Sequence, residues 1–187
     1  MEAKRVVRTR LQATRAARSA SERVTAAAAL ARHGRLAVGW ATTVAAYASI
    51  RDEPPTDLLL DQLLAAGVRV LLPRVTGQAL AWAPYESWSG LGRSGRGLLE
   101  PTGPAVTGGL DEWADVVLVP AVAVDRHGTR LGRGAGYYDR TLVGTPRERL
   151  IAVVFADEIV DLLPNEPHDV AVRAALTPDG LVELDDQ

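Results

Sequence analysis

The spacing of apolar and polar positions divides the chain into alternating helix-like and strand-like stretches. Residues 2–18 contain no Gly or Pro, and Val7, Leu11 and Thr14 or Ala17 lie near one weakly apolar stripe, so a helix is predicted there. Ser19 followed by Glu22 has capping-box spacing and predicts a second, alanine-rich helix ending at His33-Gly34. The apolar run 37–50 reads as a buried strand with its exit loop. RDEPPT (51–56) reads as a turn, with Thr56 as the cap of a helix over 57–66 that Gly67 closes. Residues 68–73 predict a short strand, and the Gly- and Pro-rich stretch 74–110 predicts hairpins or loops. A short helix over 110–114 leads into DVVLVPAVAVD (115–125), the most strand-like run in the chain. A helix over 137–142, a strand over 150–155 and an acidic tail complete the pattern. Strands that alternate with helices, several of them uninterrupted apolar runs, predict a mostly parallel sheet covered on both faces.

With 187 residues, 47% of them apolar, the chain fits a single domain over 1–187. Cysteine is absent, which removes disulfides, thiolate zinc sites and a cysteine nucleophile together. The most apolar windows, 36–50 and 116–124, fall short of the ~20 residues of a spanning helix, and Gly or Pro interrupts both. The first twenty residues lack an apolar core after their charges. The expectation is a soluble cytoplasmic protein without a membrane partner.

A net charge of −2 hides an asymmetry. Lys4, Arg5, Arg8, Arg10, Arg15, Arg18 and Arg23 crowd the start, while Asp157, Glu158, Asp161, Glu166, Asp169, Glu183, Asp185 and Asp186 crowd the end. The basic start suggests either an anionic ligand, nucleic acid or phosphate, or a solvated helix face.

DRHGTRLGRGAGYYDR (125–140) carries the chemistry. It lies between a buried strand and a helix, where ligands collect in open α/β sheets. Gly132, Gly134 and Gly136 let backbone approach a ligand closely, and successive N–H groups at a helix start form an anion cradle. Arg130 and Arg133 add phosphate-fitting donors, and Asp139 could hold a Mg²⁺ that bridges phosphates. The structural alternatives are a plain glycine turn, with Asp139 paired to Arg140 or capping its helix. The P-loop and dinucleotide patterns are both excluded by register.

VPAVAVDRHGTRLGRGAGYYDR (119–140) resembles the signature of the 5-formyltetrahydrofolate cyclo-ligase family, also called 5,10-methenyltetrahydrofolate synthetase. Ala121 stands for the family's usual Gly and Val124 for its usual Phe, while the stretch from Gly128 to Asp139 matches throughout. KRVVR (4–8), DEPPT (52–56), GVRVLLPRV (67–75), LLEP (98–101) and PNEPHD (164–169) follow family landmarks in order. Arg173 departs from a position that is often acidic in the family.

The resemblance implies a three-layer α/β/α, Rossmann-like fold of the type shared by phosphosugar isomerases and CoA transferases. It implies ATP- and Mg²⁺-dependent closure of 5-formyltetrahydrofolate to 5,10-methenyltetrahydrofolate. By resemblance, Lys4, Arg5, Arg8, Arg130, Leu131, Gly132, Arg133, Gly134, Ala135, Gly136, Tyr137 and Tyr138 contact ATP. Ala48, Glu53 and the Arg133–Tyr137 segment (133–137) contact the folate, with Arg133 and Tyr137 as the catalytic pair and Asp139 and Asp169 on the metal. His168, a lone loop histidine, stays outside the catalytic set, and Trp40, Trp82, Trp88 and Trp113 are read as core or rim packing. A monomer acting on small molecules, without nucleic acid, is expected. The rival readings are an RNA-binding module built on the basic first helix and a phosphosugar isomerase-like protein on the same scaffold.

Overall fold

The computed structural model describes residues 2–95, 97–166 and 169–185. His168 lies outside them.

Two helices open the chain, α1 (Glu2–Ala16) and α2 (Ala20–Ala37), followed by β1 (Thr43–Ala45), α3 (Asp57–Ala65) and the hairpin of β2 (Arg69–Thr76) with β3 (Ala79–Pro84). A second small hairpin pairs β4 (Leu91–Arg93) with β5 (Leu99–Pro101). Then come α4 (Leu110–Trp113), β6 (Val116–Pro120), β7 (Ala123–Asp125), β8 (Arg130–Leu131) and α5 (Tyr137–Thr141). The chain closes with β9 (Leu150–Val153), β10 (Ile159–Val160), β11 (Ala174–Thr177) and β12 (Gly180–Glu183).

A seven-stranded sheet runs β12-β11-β9-β6-β1-β2-β3. Its inner pairs are parallel, and the two outermost pairs are antiparallel. Alternate residues serve opposite faces. Val70, Leu72, Leu118, Ile151 and Val153 pack with Leu30 of α2 and Leu59, Leu60 and Leu63 of α3. Leu71, Val117, Val119, Leu150 and Ala152 pack with Leu110, Leu142 and Trp82 on the other side. Both faces are therefore dry, which is why these strands read as continuous apolar runs. Among the described residues, no helix is long and apolar enough to cross a membrane.

Six local expectations are corrected. The capping box of Ser19 and Glu22 is present, but α2 continues past Gly34 to Ala37. Gly34 is a packing residue: a Cβ there would lie 2.6 Å from Leu59 Cδ1. Only Thr43–Ala45 of the 37–50 run forms a strand, because the chain leaves the sheet after the Ala46 N–H bonds Leu71 C=O. Thr56 does not cap α3 with its side chain. Its hydroxyl instead donates to Tyr47 C=O at 2.8 Å and accepts from Ser49 N–H at 2.9 Å.

The 115–125 run breaks after Pro120, and β7 moves into a separate three-stranded sheet ordered β10-β7-β8. The acidic tail is not merely a tail, because β11 is a fully buried strand of the central sheet. The tryptophans divide. Trp82 and Trp113 meet edge-to-face with centroids 6.0 Å apart, and Trp88 packs against the core. Trp40 is 99% exposed and packs on nothing.

The first helix docks through Leu11, which joins Val122, Ala123, Leu131 and Leu163 in a third apolar cluster. Beside it Arg15, only 2% exposed, donates to both oxygens of buried Glu158 and, at 2.6 Å, to Ala121 C=O. Burial pushes the Glu158 carboxyl up in spite of that partner. The charge asymmetry of the sequence is thus turned inward: Lys4 pairs with Asp169 and Glu166, Arg15 with Glu158, and Arg18 with Asp157.

Candidate active site

A cleft of about 340 Å³ opens at the carboxyl ends of β1, β2 and β6. Tyr47, Ala48, Ile50 and Glu53 form one wall, residues 130 and 132–139 face them, and Pro120 and Ala121 lie between. Pro73, Val75, Leu80, Leu98 and Leu99 supply an apolar side. The arrangement suits a flat organic ring on one flank and a charged group on the other.

The glycine segment is held from several directions. Fully buried Asp125 accepts N–H groups from His127, Thr129 and Leu163 at 2.9–3.0 Å, fixing the turn that leads into β8. Arg8 of α1 donates to Gly132 C=O at 2.9 Å. Gly134 and Gly136 take φ of +99° and +67°, a conformation that L side chains rarely adopt, and Gly136 starts α5. Arg140 donates to Ala135 C=O from outside, with its guanidinium carbon 5.4 Å from the centre of the Tyr137 ring.

Charge pairs span the cleft and its rim. Arg133 Nε lies 2.9 Å from Glu53 Oε1, and the other Glu53 oxygen accepts the Ile50 N–H at 2.9 Å. Arg130, almost wholly buried, pairs with Asp139, so Asp139 does not pair with Arg140. At the rim Lys4 Nζ is 2.7 Å from Asp169 and 3.2 Å from Glu166. Burial works against its ammonium, but the hydrogen bonds to those two carboxylates outweigh it and raise the pKa. The Tyr47 and Tyr138 hydroxyls are buried with no hydrogen-bond partner among the described residues, and burial raises both pKa values, so both stay neutral.

The structure gathers Ala48, Glu53, Arg130, Gly132, Arg133, Gly134, Ala135, Gly136, Tyr137, Tyr138 and Asp139 in one cleft. Lys4, Arg5, Arg8, Leu131 and Asp169 do not line it. Arg8 touches the glycine segment from behind, Lys4 and Asp169 hold each other, and Arg5 is exposed. The Leu131 side chain is buried in the third apolar cluster, where it packs with Leu11, Val122, Ala123 and Leu163. Tyr47 and the apolar residues from β2, β3 and the β4–β5 hairpin were missed. Tyr47 follows a buried strand directly, which marks the position where ligands collect; the leucines carried no such signal.

For a divalent cation, the described residues contain no group of three or more carboxylates and imidazoles. Each candidate carboxylate already faces a cationic side chain. This donor set fits Mg²⁺ that arrives on phosphates and needs one or two protein oxygens, rather than an ion caged by protein alone.

The family model of the 5-formyltetrahydrofolate cyclo-ligase family matches residues 1–178. The chain belongs to this family. Among cyclo-ligase relatives, the 5-formyltetrahydrofolate cyclo-ligase of Mycolicibacterium smegmatis is 47% identical over 150 residues, covering 76% of this chain and 77% of the relative. That of Escherichia coli K12 is 34% identical over 155 residues, covering 76% and 81%. The solved structure of Aquifex aeolicus 5,10-methenyltetrahydrofolate synthetase superposes with a TM-score of 0.81 at 27% identity, covering 98% of this chain and 94% of that one. A synthetase structure from Mycoplasma pneumoniae, at 21% identity and TM-score 0.74, shares the fold.

Proposed function

We propose that this protein closes 5-formyltetrahydrofolate to 5,10-methenyltetrahydrofolate with ATP, releasing ADP and phosphate. The observation that carries the reading is the meeting of Glu53 and the 130–139 segment in one cleft with an apolar flank. A formamide oxygen is a poor leaving group. In the proposed reaction that oxygen attacks the γ-phosphorus, the bond to ADP breaks, and an iminium phosphate results. N10 then attacks the formyl carbon, the carbon–oxygen bond breaks with loss of phosphate, and the N10 proton is given up.

The protein's part is alignment and fixed positive charge. Arg133, with Tyr137 beside it, would sit where the formyl oxygen meets the γ-phosphate, and the amides of 132–136 would receive phosphate oxygens. Arg130 would add charge from the buried wall, with Lys4, Arg5 and Arg8 on the helix behind the loop. Glu53 would accept N–H groups of the pterin, with Ala48 beside the ring. Asp139 and Asp169 would hold Mg²⁺, which supplies charge neutralisation between the phosphates. The reading extends to a cytoplasmic monomer acting on small molecules. An RNA-binding use of α1 is disfavoured, because Lys4, Arg8, Arg15 and Arg18 are already bound within the fold.

The test follows absorbance of the conjugated methenyl product together with ADP release. Both should depend on 5-formyltetrahydrofolate and ATP. ADP release indifferent to the folate would overturn the reading.

A further inference from the structure

Glu53 projects from a turn that is held at both its base and its tip. At the base, Ser49 and Thr56 exchange hydrogen bonds: Ser49 N–H donates to Thr56 Oγ1 at 2.9 Å, and Thr56 N–H donates to Ser49 Oγ at 3.1 Å. At the tip, Arg51 has φ of +51°, the sole positive φ of a non-glycine residue among those described. A side chain in that region costs energy and persists only where the surroundings impose it.

What imposes it comes from another element. Arg23, on the first turns of α2, donates Nη2 to Arg51 C=O and, at 3.5 Å, to Glu53 C=O. These carbonyls belong to the strained residue and to the functional carboxylate itself. The other terminal nitrogen of Arg23, Nη1, is buried and has no partner among the described residues. Leaving a buried charged donor unmatched is unfavourable, and packing alone would be served better by an apolar side chain. Within the turn, Glu53 Oε2 accepts Ile50 N–H at 2.9 Å, so carboxylate and backbone move together.

We propose that Arg23 is a positioning residue that straps the 50–53 turn and so sets where the Glu53 carboxylate meets the N–H groups of the substrate ring. Resting on the cyclo-ligase reading for the identity of that substrate, the inference predicts selectivity in the damage. Arg23 lies on α2, away from the glycine segment, so its loss acts first on the folate side of the cleft and reaches the nucleotide side only through the Glu53–Arg133 pair.

The experiment compares Arg23→Gln and Arg23→Lys with the parent protein by steady-state kinetics and by amide hydrogen exchange at Ile50. Arg23→Gln should raise KM for 5-formyltetrahydrofolate about five- to tenfold, the effect of one weakened hydrogen bond, with KM for ATP within about twofold. Arg23→Lys, which keeps the charge and can reach one carbonyl, should fall between. The Ile50 amide should lose protection in Arg23→Gln, while Val70 and Leu72 in the adjoining strand keep theirs. Equal changes in both KM values, or no change in the folate KM, would reduce Arg23 to a structural residue and overturn the inference. Because exchange at Ile50 needs no turnover, the strap can be judged even if the parent enzyme makes no methenyl product. That second result would sink only the cyclo-ligase reading, whereas unchanged Ile50 protection in Arg23→Gln would sink the strap.

Discussion

Arg133 Nε and Glu53 Oε1 stand 2.9 Å apart and join two walls of the cleft, one following β1 of the seven-stranded sheet and the other following β8 of the separate three-stranded sheet. Arg133 is 38% exposed at its side chain, and Glu53 only 9%. The arginine is therefore the member that can be removed without opening the core. Arg133→Ala should raise KM for ATP about ten- to hundredfold, the range for losing a charge-assisted hydrogen bond. Circular dichroism and thermal melting should show a folded protein at room temperature. An unfolded variant would mean that Arg133 holds the structure and not the nucleotide.

Asp139 sits against buried Arg130, so its charge serves the wall as well as any cation. Asp139→Asn should cut turnover, with partial recovery as Mg²⁺ is raised. A rate equal to the parent's would remove Asp139 from the metal site, and a loss insensitive to Mg²⁺ would assign it to Arg130 alone.

The buried pair of Arg15 and Glu158 makes a stability prediction independent of ligands. Arg15→Met should cost about 3–5 kcal/mol, because Glu158 is left as an unpaired buried carboxylate. Replacing both, as Arg15→Met with Glu158→Gln, should restore a large part of that loss. Urea denaturation of the parent, both single variants and the double variant gives the coupling directly.

Asp115 provides a pH test. It accepts the N–H groups of Thr43 and Thr42 and the Thr42 hydroxyl at 2.8–2.9 Å, and these bonds hold its carboxyl below the ordinary 3.8. A depressed native value means stability that is present above the unfolded value and lost as pH falls through the folded one. Asp115→Asn should therefore lower stability by about 1 kcal/mol at neutral pH, a figure kept small because the site is exposed. Melts at decreasing pH should show parent and variant converging below 3.8.

The glycine segment was legible because its residue types are costly to place by chance: alternating glycines between a buried strand and a helix leave few other uses. The parallel sheet was legible because strands covered on both faces cannot hide their apolar runs. Strand β11 was not, since Arg173 immediately precedes it and acidic residues surround the segment. Thr56 has the right residue type in the right place for a cap, yet tertiary contacts with Tyr47 and Ser49 take its hydroxyl. Lys4 and Asp169 were each named as ligand contacts, but their pairing joins positions 165 residues apart, which no local pattern encodes. Leu80, Leu98 and Leu99 look like any short strand until the fold places them against the cleft.

The seat of α1 has a consequence for how the protein is made. Arg15 waits for Glu158, and Lys4 for Asp169. A ribosome must therefore release the chain through Glu158 and Asp169 before α1 can make these pairs. A helix made before its acidic partners completes its docking only after them, and a nascent chain that stops short of those partners carries its glycines with no finished catalyst around them.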